Sequence, residues 1–597
     1  MSVRFRLIRS AVLAGAAALL AACPGRESAP PTPASAPGRG APDSASGPGL
    51  VLLVTVEGLG TSAGGALESA PALKELLGKD DPARPFFTSS PVLVPAIASI
   101  LTGVSPLEHG VLDNAGRRIP PGATTLAQDF SASGFTTAAF VGSPLVSWLA
   151  GFERGFEVFD GANGNAFGIF RPFPEIRPAS EVIGNALRWV QDLPTGVRAF
   201  AWIHLADLTA PFDIEADPAR SQWKARLATL DREIARLREG IRAQAARKPV
   251  LVLTADRGSD IGDRIESGAG FFVDPAWTRV PLAVDAAEGV PEPRRPADTT
   301  GLRRFLGEIA GTPSVAGREG EKLPRVASFS ALPWLWCRWK PAVAVASEDG
   351  SLWVSDGEWR RYAPSGEGKE VPESDVPEPV RKLASDLAAR LMAPLPRGPK
   401  IVEAEKAARA RGLRMGSESF TPKTPDLAAR RDVVATLEQA RSLAVKSRLR
   451  PTLVLYRKLA GSSPPNLAAL LDMTVLLSLI PERLDNAWSR AKETLGGYGA
   501  HPVAIHWAAH TAIQQGELDL AEAFLAAYLE RMPDEPDGLY DTACVRSLKG
   551  DMAGAEESLR RAIERGFRQW ELISSDPDLR NLRADARFGA LMRHYGR

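Results

Sequence analysis

Acidic residues and histidines in the first half of the chain follow short apolar runs, where they could bind a metal or move protons. Glu57 and Asp256 each end such a run, and two carboxylates could together hold one divalent cation weakly. His204 and Asp207 belong to a third run and its turn, where they could do acid–base work or satisfy backbone groups. Arg257 is a permanent cation that opposes metal binding; it could pair with a carboxylate or attract an anionic ligand.

Hydroxyl groups that could act as nucleophiles precede a predicted helix. Ser89 and Ser90 could supply an attacking oxygen, although the simpler interpretation is that they are loop serines. His109 is a weak candidate for proton transfer and is expected to order the loop after the helix end at Thr102 and Gly103. None of these residues alone defines a catalytic set.

Four continuous apolar runs must position these side chains, at residues 51–56, 136–142, 199–205 and 249–256. Their β-branched and aromatic content predicts strands buried on both faces, with helices between them at residues 181–191 and 221–246. This alternation predicts an α/β domain over residues 50–395, a three-layer sandwich with a mostly parallel central sheet. Chemistry in such sheets gathers where the strands end.

The stretch from Phe86 to Val111, FFTSSPVLVPAIASILTGVSPLEHGV, resembles the nucleophile segment of the sulfatase family within the alkaline phosphatase superfamily. The matching positions are Pro95, Ser99, Thr102, Gly103, Pro106, His109 and Gly110. Further segments resemble that family in the same order: VLLVTVEGLG, HLADLTAPF, LTADRGSDIGD and DGSLWVSDGEWRRY. The resemblance implies a sulfatase-like fold for nearly all of the α/β domain.

The same resemblance implies a degenerate active site. Leu93 stands at the nucleophile position, and a leucine can neither attack sulfur or phosphorus nor bind a metal. Glu57 and Asp256 remain at metal-binding positions, so a single divalent cation is the alternative to having no cofactor. The other positions that depart from active members are Gly58 for a carboxylate, Ala96 for a serine, Ile97 for a basic residue, Thr209 for a histidine and Arg257 for an Asn or His ligand.

Three functions stay open on these residues. The expected one is a catalytically inactive pseudoenzyme that serves in ligand or protein binding and scaffolding. The alternative is an active sulfuric or phosphoric ester hydrolase with a displaced nucleophile or a metal-activated water. Only His109 and His204 precede residue 501, too few histidines for an alkaline-phosphatase-like pair of metals. In a third interpretation the α/β domain is a platform that presents the C-terminal region.

The N-terminus resembles a bacterial lipoprotein signal. Three arginines precede an apolar run at residues 11–22 that is too short to span a bilayer. The residues before Cys23, Leu-Ala-Ala, resemble a lipobox, which implies cleavage after residue 22 and acylation of Cys23; an ordinary secretory signal is the alternative. Residues 23–49 are rich in Pro, Ala, Ser and Gly and predict a disordered tether. We therefore expect an envelope protein, exported and membrane-anchored through Cys23.

Composition excludes some functions. The 597-residue chain contains 72 Lys and Arg against 71 Asp and Glu, so its net charge predicts no nucleic-acid partner. Its three cysteines are Cys23, Cys337 and Cys544. With Cys23 acylated, neither a disulfide framework nor a cysteine metal site is expected.

Residues 396–425 are predicted to form a charged connector, and residues 426–597 are predicted to form helical repeats. Gly516 and Gly550 are 34 residues apart, as are Ala521 and Ala555, which resembles the packing positions of the tetratricopeptide repeat. Such an all-α solenoid predicts a concave groove for a peptide or protein partner. The alternative is that the repeats only pack against the α/β domain.

Three histidines in this region, His501, His506 and His510, invite a metal hypothesis. His506 and His510 flank Trp507 on a predicted repeat helix, so packing is the favoured interpretation.

Overall fold

The computed structural model describes residues 47–61, 67–78, 85–114, 118–146, 150–161, 176–209, 219–259, 270–290, 293–312, 327–347, 349–363, 367–393, 398–416, 427, 430–445, 448–462, 465–478, 480–499, 501–567 and 569–595. The predicted signal peptide, Cys23 and nearly all of the predicted tether lie outside these residues. None of the described helices is both long and apolar enough to span a bilayer.

The strands are, in chain order, β1 Leu50–Val56, β2 Phe86–Phe87, β3 Thr136–Val141, β4 Val158–Asp160, β5 Ala199–Leu205, β6 Pro249–Ala255, β7 Arg279–Val280, β8 Leu282–Ala286, β9 Ala327–Ser330, β10 Ala342–Ala346, β11 Leu352–Ser355, β12 Trp359–Tyr362 and β13 Gly368–Glu370. Strands β1, β3, β5 and β6 correspond to the four predicted runs.

The central sheet has the strand order β4-β3-β5-β1-β6-β8. Every neighbouring pair is parallel except β6 with β8. All residues of β1, β5 and β6 are buried, which requires a covering layer on each face of the sheet. The domain is therefore α/β with a mixed, mostly parallel sheet, as the apolar runs predict.

The helices of the first domain are α1 Pro71–Leu77, α2 Leu93–Thr102, α3 Pro106–His109, α4 Leu126–Ala132, α5 Ala179–Asp192, α6 Ala219–Arg242, α7 Pro275–Thr278, α8 Leu302–Ala310, α9 Leu332–Cys337 and α10 Glu378–Leu391. Helices α5 and α6 correspond to the two predicted helices. Helix α5 packs on β3 and β5, and α6 packs on β6.

A second, antiparallel sheet has the order β13-β12-β11-β10-β9, and β2 pairs with β7. Strands β11 and β12 form the hairpin that lies in the segment DGSLWVSDGEWRRY. Helix α10 packs against β10 and closes the first domain.

The C-terminal region is helical. Its helices are α11 Pro399–Ala410, α12 Arg431–Val445, α13 Leu449–Ala460, α14 Leu467–Ser478, α15 Leu484–Tyr498, α16 Pro502–Gln514, α17 Leu518–Arg531, α18 Pro536–Lys549, α19 Met552–Glu564, α20 Trp570–Ser575, α21 Arg580–Arg583 and α22 Ala586–His594. From α12 to α19, each helix packs against the next. We call α12 to α22 the helical array.

The residues at the 34-residue spacing occupy equivalent places. Gly516 and Gly550 have φ values of +76° and +88°, a left-handed conformation that glycine adopts without strain, and each follows a helix. Ala521 and Ala555 are fully buried on the helices that come next. The period in the sequence therefore corresponds to a repeated helix–turn–helix unit.

Helix α11 lies in the predicted connector and docks antiparallel on α17. The Glu530 carboxylate accepts from the Lys400 N–H over 3.2 Å at one end of α11, and Arg411 pairs with Glu517 at the other. Ile401 and the following small residues are buried in a cluster shared with α15, α16 and α17. The connector is thus part of the packed helical region.

The helical array also packs against the first domain. Arg118 pairs with Asp534, and the Trp336 ring meets the His501 ring edge to face at 5.0 Å. Residues 504–513 of α16 are all buried. The helical array and the first domain are therefore in direct contact.

Candidate functional site

The carboxyl ends of four adjacent parallel strands, β3, β5, β1 and β6, meet at one edge of the sheet. In register, Val56 at the end of β1 pairs with both Leu205 of β5 and Ala255 of β6. Glu57 and Asp256 therefore leave neighbouring strands at the same level. The structure brings Glu57, Asp256, His204 and Arg257 together, and we call these four residues the Glu57 cluster.

His204 is held through both ring nitrogens. Its Nδ1 lies 2.8 Å from Oγ1 of Thr55, and its Nε2 lies 3.0 Å from Oε1 of Glu57. The indole Nε1–H of Trp202 donates to the same Thr55 oxygen over 2.9 Å, and the Glu57 carboxylate can only accept from Nε2 of His204. The imidazole is therefore protonated at Nε2 and donates to Glu57. Neither ring nitrogen is left for a metal or a substrate.

Arg257 joins the two carboxylates of the cluster. Its Nη1 donates to Oδ2 of Asp256, and its Nη2 lies 3.7 Å from Oε2 of Glu57. The other Asp256 oxygen, Oδ1, accepts from the Gly58 N–H over 3.2 Å. The guanidinium thus supplies, from within the chain, the positive charge that a cation would bring to these carboxylates.

The electrostatics of the cluster keep Arg257 charged. Burial opposes its charge, but Asp256 and Glu57 raise the pKa of Arg257 above its ordinary value. Burial also opposes ionisation of Glu57, yet the hydrogen bond from His204 and the positive charge of Arg257 lower its pKa. For Asp256 burial prevails over Arg257, and the pKa is raised. The cluster is a buried ion-pair network with internal partners.

Leu93 begins α2 inside the hydrophobic core. Its side chain is buried in the same apolar cluster as β1, and Ala96 and Ile97 after it are fully buried. In the first turn of this helix the Asn114 side chain accepts from the Val94 N–H over 3.0 Å. The start of α2 therefore carries an apolar side chain and an internal amide cap.

Ser89 and Ser90 are buried, and their hydroxyls are used locally. Oγ of Ser90 accepts from the Val92 N–H over 3.3 Å, and Oγ of Ser89 accepts from the Thr299 hydroxyl over 3.4 Å. Within the described ranges, neither serine oxygen is hydrogen-bonded to a histidine, lysine or carboxylate that could activate it.

His109 links α3 to α2. Its Nδ1 accepts from the Val111 N–H over 3.1 Å, and its Nε2 lies 3.0 Å from Oγ of Ser99. Burial lowers the pKa of His109 to about 3, so the ring is neutral at physiological pH. His109 orders the turn after α2 and has no hydrogen bond to the Glu57 cluster.

Asp207 caps a helix. Its Oδ1 accepts from the N–H of Ala179, the first residue of α5, over 3.0 Å, and burial raises the pKa of the carboxyl. The Thr209 hydroxyl donates to the carbonyl oxygen of Ala206 over 2.6 Å. Asp207 and Thr209 thus order the turn after β5, the simpler of the two sequence interpretations.

The residues present do not fit the metal chemistry of an ester hydrolase. Across the described residues, no three His, Cys, Asp or Glu side chains are arranged to hold a metal ion. Glu57 and Asp256 share Arg257, and His204 uses both nitrogens in hydrogen bonds. A divalent cation would have to displace a covalently attached guanidinium.

Sequence reasoning missed three residues that hold the cluster, Thr55, Ser143 and Trp202. Thr55 is the polar residue inside the apolar run of β1, and in register it lies beside His204. Ser143 follows β3 and hydrogen-bonds the Glu57 carboxyl. A lone threonine inside a buried strand was the available signal, because a buried hydroxyl requires a partner.

His506 and His510 surround a carboxylate inside the helical array. Nε2 of His506 lies 3.2 Å from Oδ2 of Asp541, and Nδ1 of His510 lies 3.6 Å from the same atom. The His506 ring stacks on Tyr528 with the ring centroids 4.5 Å apart. These contacts join α16, α17 and α18, so the two histidines have packing partners within the array.

No family model matches the sequence, and no curated protein matches it. Among solved structures, a putative sulfatase from Bacteroides thetaiotaomicron is 15% identical with a TM-score of 0.42, covering 64% of this chain and 97% of that one. A phosphonate monoester hydrolase from Silicibacter pomeroyi is 16% identical with a TM-score of 0.37, covering 57% and 93%. The C-terminal periplasmic domain of EcEptC from Escherichia coli is 15% identical with a TM-score of 0.34, covering 48% and 90%. By their names, these structural neighbours include sulfatases and a phosphonate monoester hydrolase.

Proposed function

We propose that this protein is an envelope-anchored, sulfatase-like pseudoenzyme, in which the α/β domain and a tetratricopeptide-like array form one scaffold for protein or ligand binding. The observation that carries the proposal is the position of Arg257, which pairs with both Glu57 and Asp256. A permanent cation held between two buried carboxylates offsets part of their negative charge and opposes a divalent metal.

The residue at the nucleophile position, Leu93, also supports an inactive protein. Leu93 offers no attacking atom, and it lies in the core with Ala96 and Ile97. Losing a nucleophile that acts together with its partners lowers turnover on the order of a million-fold. Loss of a nucleophile and a metal shell together removes both sources of rate acceleration that an ester hydrolase of this kind needs.

The rival function, an active hydrolase with a displaced nucleophile, finds less support. The two hydroxyls that the sequence offers as displaced nucleophiles, Ser89 and Ser90, are engaged by Thr299 and the main chain. The nearest functional imidazole by sequence resemblance, His204, is committed to Thr55 and Glu57. A metal-activated water would need a ligand set that the Glu57 cluster lacks.

Metal content and turnover test the inactive site. Purified protein would be assayed by mass spectrometry for bound metal and for hydrolysis of aryl sulfate and aryl phosphate esters. We expect metal well below one equivalent and no turnover above buffer. Near-stoichiometric metal, with turnover that disappears in Asp256→Ala, would overturn the proposal.

Membrane fractionation tests the anchor. Acylation at Cys23 would place the wild-type chain in the membrane fraction, and two or more acyl chains would hold it there stably. We expect Cys23→Ser to move the chain to the soluble fraction, while the control Cys544→Ser stays with the membrane, because Cys544 is buried in the array.

A further inference from the structure

Positive charge is concentrated in one part of a nearly neutral chain. The net charge of all 597 residues is +1, yet no Asp or Glu occurs from residue 439 to residue 471. This segment contains six cations: Arg441, Lys446, Arg448, Arg450, Arg457 and Lys458. The overall balance therefore hides a local excess of positive charge.

Helix α13 displays part of this charge on one side. Its buried residues are Thr452, Tyr456, Leu459 and Ala460. The opposite side, which we call the basic face, is exposed and consists of Arg450, Val454, Arg457 and Lys458. These four positions follow the i, i+4, i+7, i+8 spacing of a single helical stripe.

The cations of the basic face are not neutralised within the described part of the chain. Arg450, Arg457 and Lys458 form no ion pair there, and α13 itself contains no acidic residue. Arg441 on the neighbouring helix differs, because its Nε donates to Oδ2 of Asp472 over 2.9 Å. The basic face is thus a cationic surface that is free to bind an anion outside the chain.

An apolar side chain stands in the middle of the basic face. Val454 is 61% exposed, which makes it the most exposed large hydrophobic residue in the described structure. Exposing a valine gives up free energy of burial, whereas the same valine between cations can enter the boundary between lipid headgroups and acyl chains. On a bilayer, Val454 would add a small apolar contact to the attraction of the cations around it.

We propose that the basic face of α13 docks on an anionic lipid surface. Each Lys or Arg held near such a surface contributes about fivefold in affinity, so three of them give a weak but significant attraction. The face is one convex helix side, which suits a flat bilayer better than a protein partner that must bury roughly 800 Å². The anchor expected at Cys23 would keep the basic face close to a bilayer, but the proposal does not depend on it.

Vesicle co-sedimentation tests the proposal on the full chain carrying Cys23→Ser, which removes the predicted acylation site. Vesicles of phosphatidylcholine mixed with phosphatidylglycerol would be compared with pure phosphatidylcholine. The triple variant Arg450→Gln, Arg457→Gln, Lys458→Gln neutralises the basic face. The control triple variant Lys369→Gln, Lys382→Gln, Arg390→Gln removes the same charge from other exposed positions.

We expect binding to anionic vesicles that weakens as salt is raised, and at least a tenfold loss in the basic-face variant. The control variant should bind like the parent, and Val454→Ser should bind more weakly at every salt concentration. Equal losses in both triple variants, or equal binding to both vesicle types, would overturn the proposal. Absence of vesicle binding would overturn it too and would point to an acidic protein as the ligand of the basic face.

Discussion

Arg257 and Glu57 follow two different strands, yet the Nη2 of one lies 3.7 Å from the Oε2 of the other. Their contact depends on the parallel register of β1 and β6, which ends both strands at one level. The pair is buried, so each charge depends on the other for its solvation.

Replacing Arg257 with asparagine should convert the closed cluster into a weak cation site. Arg257→Asn leaves Glu57 and Asp256 uncompensated, and breaking a buried pair costs about 3 to 5 kcal/mol. Added Mg²⁺ or Ca²⁺ should restore part of that stability by binding the carboxylates. Thermal unfolding with and without the cations measures the effect.

The matched control for this variant is Arg177→Asn. Arg177 pairs with Asp160 at 3.0 Å, and neither residue belongs to the Glu57 cluster. We expect it to be destabilised with no rescue by cations. If the cations restored the thermal stability of both variants equally, or of neither, Arg257 would not be the group that takes the place of a metal ion.

His109 should make the protein sensitive to mild acid. Burial lowers its pKa from 6.5 to about 3, so the folded state resists a proton that the unfolded chain accepts. The contribution is complete above pH 6.5 and is lost as the pH falls toward 3, by about 4 to 5 kcal/mol in total. We would measure the free energy of unfolding by urea at several pH values in this range. It should fall less steeply with decreasing pH in His109→Asn than in the wild type. The control His594→Gln, at an exposed position, should keep the wild-type dependence of unfolding free energy on pH.

His506 should stabilise the protein at low pH and lose that contribution as the pH rises, the opposite of His109. Burial disfavours its charge, but the hydrogen bond and charge of Asp541 prevail and raise the pKa of His506 above its ordinary value. Its stabilising contribution is therefore complete below pH 6.5 and is lost as the pH rises through the folded pKa. In His506→Gln the helical array should lose less stability on going to alkaline pH than the wild type does, measured by urea unfolding. An unchanged pH dependence would show that His506 does not titrate in this range.

Removing α11 together with the helical array should destabilise the α/β domain. A chain ending at Ala393 would expose Trp336 and the buried Cys337, whose Sγ accepts from Nδ2 of Asn466. We expect a lower melting temperature and aggregation in light scattering. The control chain ends at Asp585, which removes only α22 and leaves the contacts with the first domain. Independent, stable folding of the shorter chain would contradict a single scaffold.

The strands could be predicted because continuous apolar runs depend on local sequence alone. Leu93, Glu57 and Asp256 could also be placed, since each follows or begins an element that the pattern marks. The partners of His204 could not, because the pairing of Thr55 with His204 depends on the register between β1 and β5. Register is a long-range property that one sequence does not encode visibly.

In the helical array, too, local features could be predicted from the sequence and long-range contacts could not. The 34-residue spacing of Gly516 and Gly550 correctly marks a repeated turn. The docking of α11 on α17 was not predicted, because the charged segment around Lys400 reads as a connector. Its contact with Glu530 joins residues 130 positions apart, a separation over which sequence periodicity carries no information.

The position of β1 has a mechanical consequence. The described chain enters the domain at Gly47 and passes at once into the middle strand of the sheet, hydrogen-bonded along its whole length to β5 and β6. A pull on the residues that precede it would act along the strand and load both ladders in shear, so that many hydrogen bonds must break together. A protein tethered by its N-terminus would in this way resist extension at the point where the force enters.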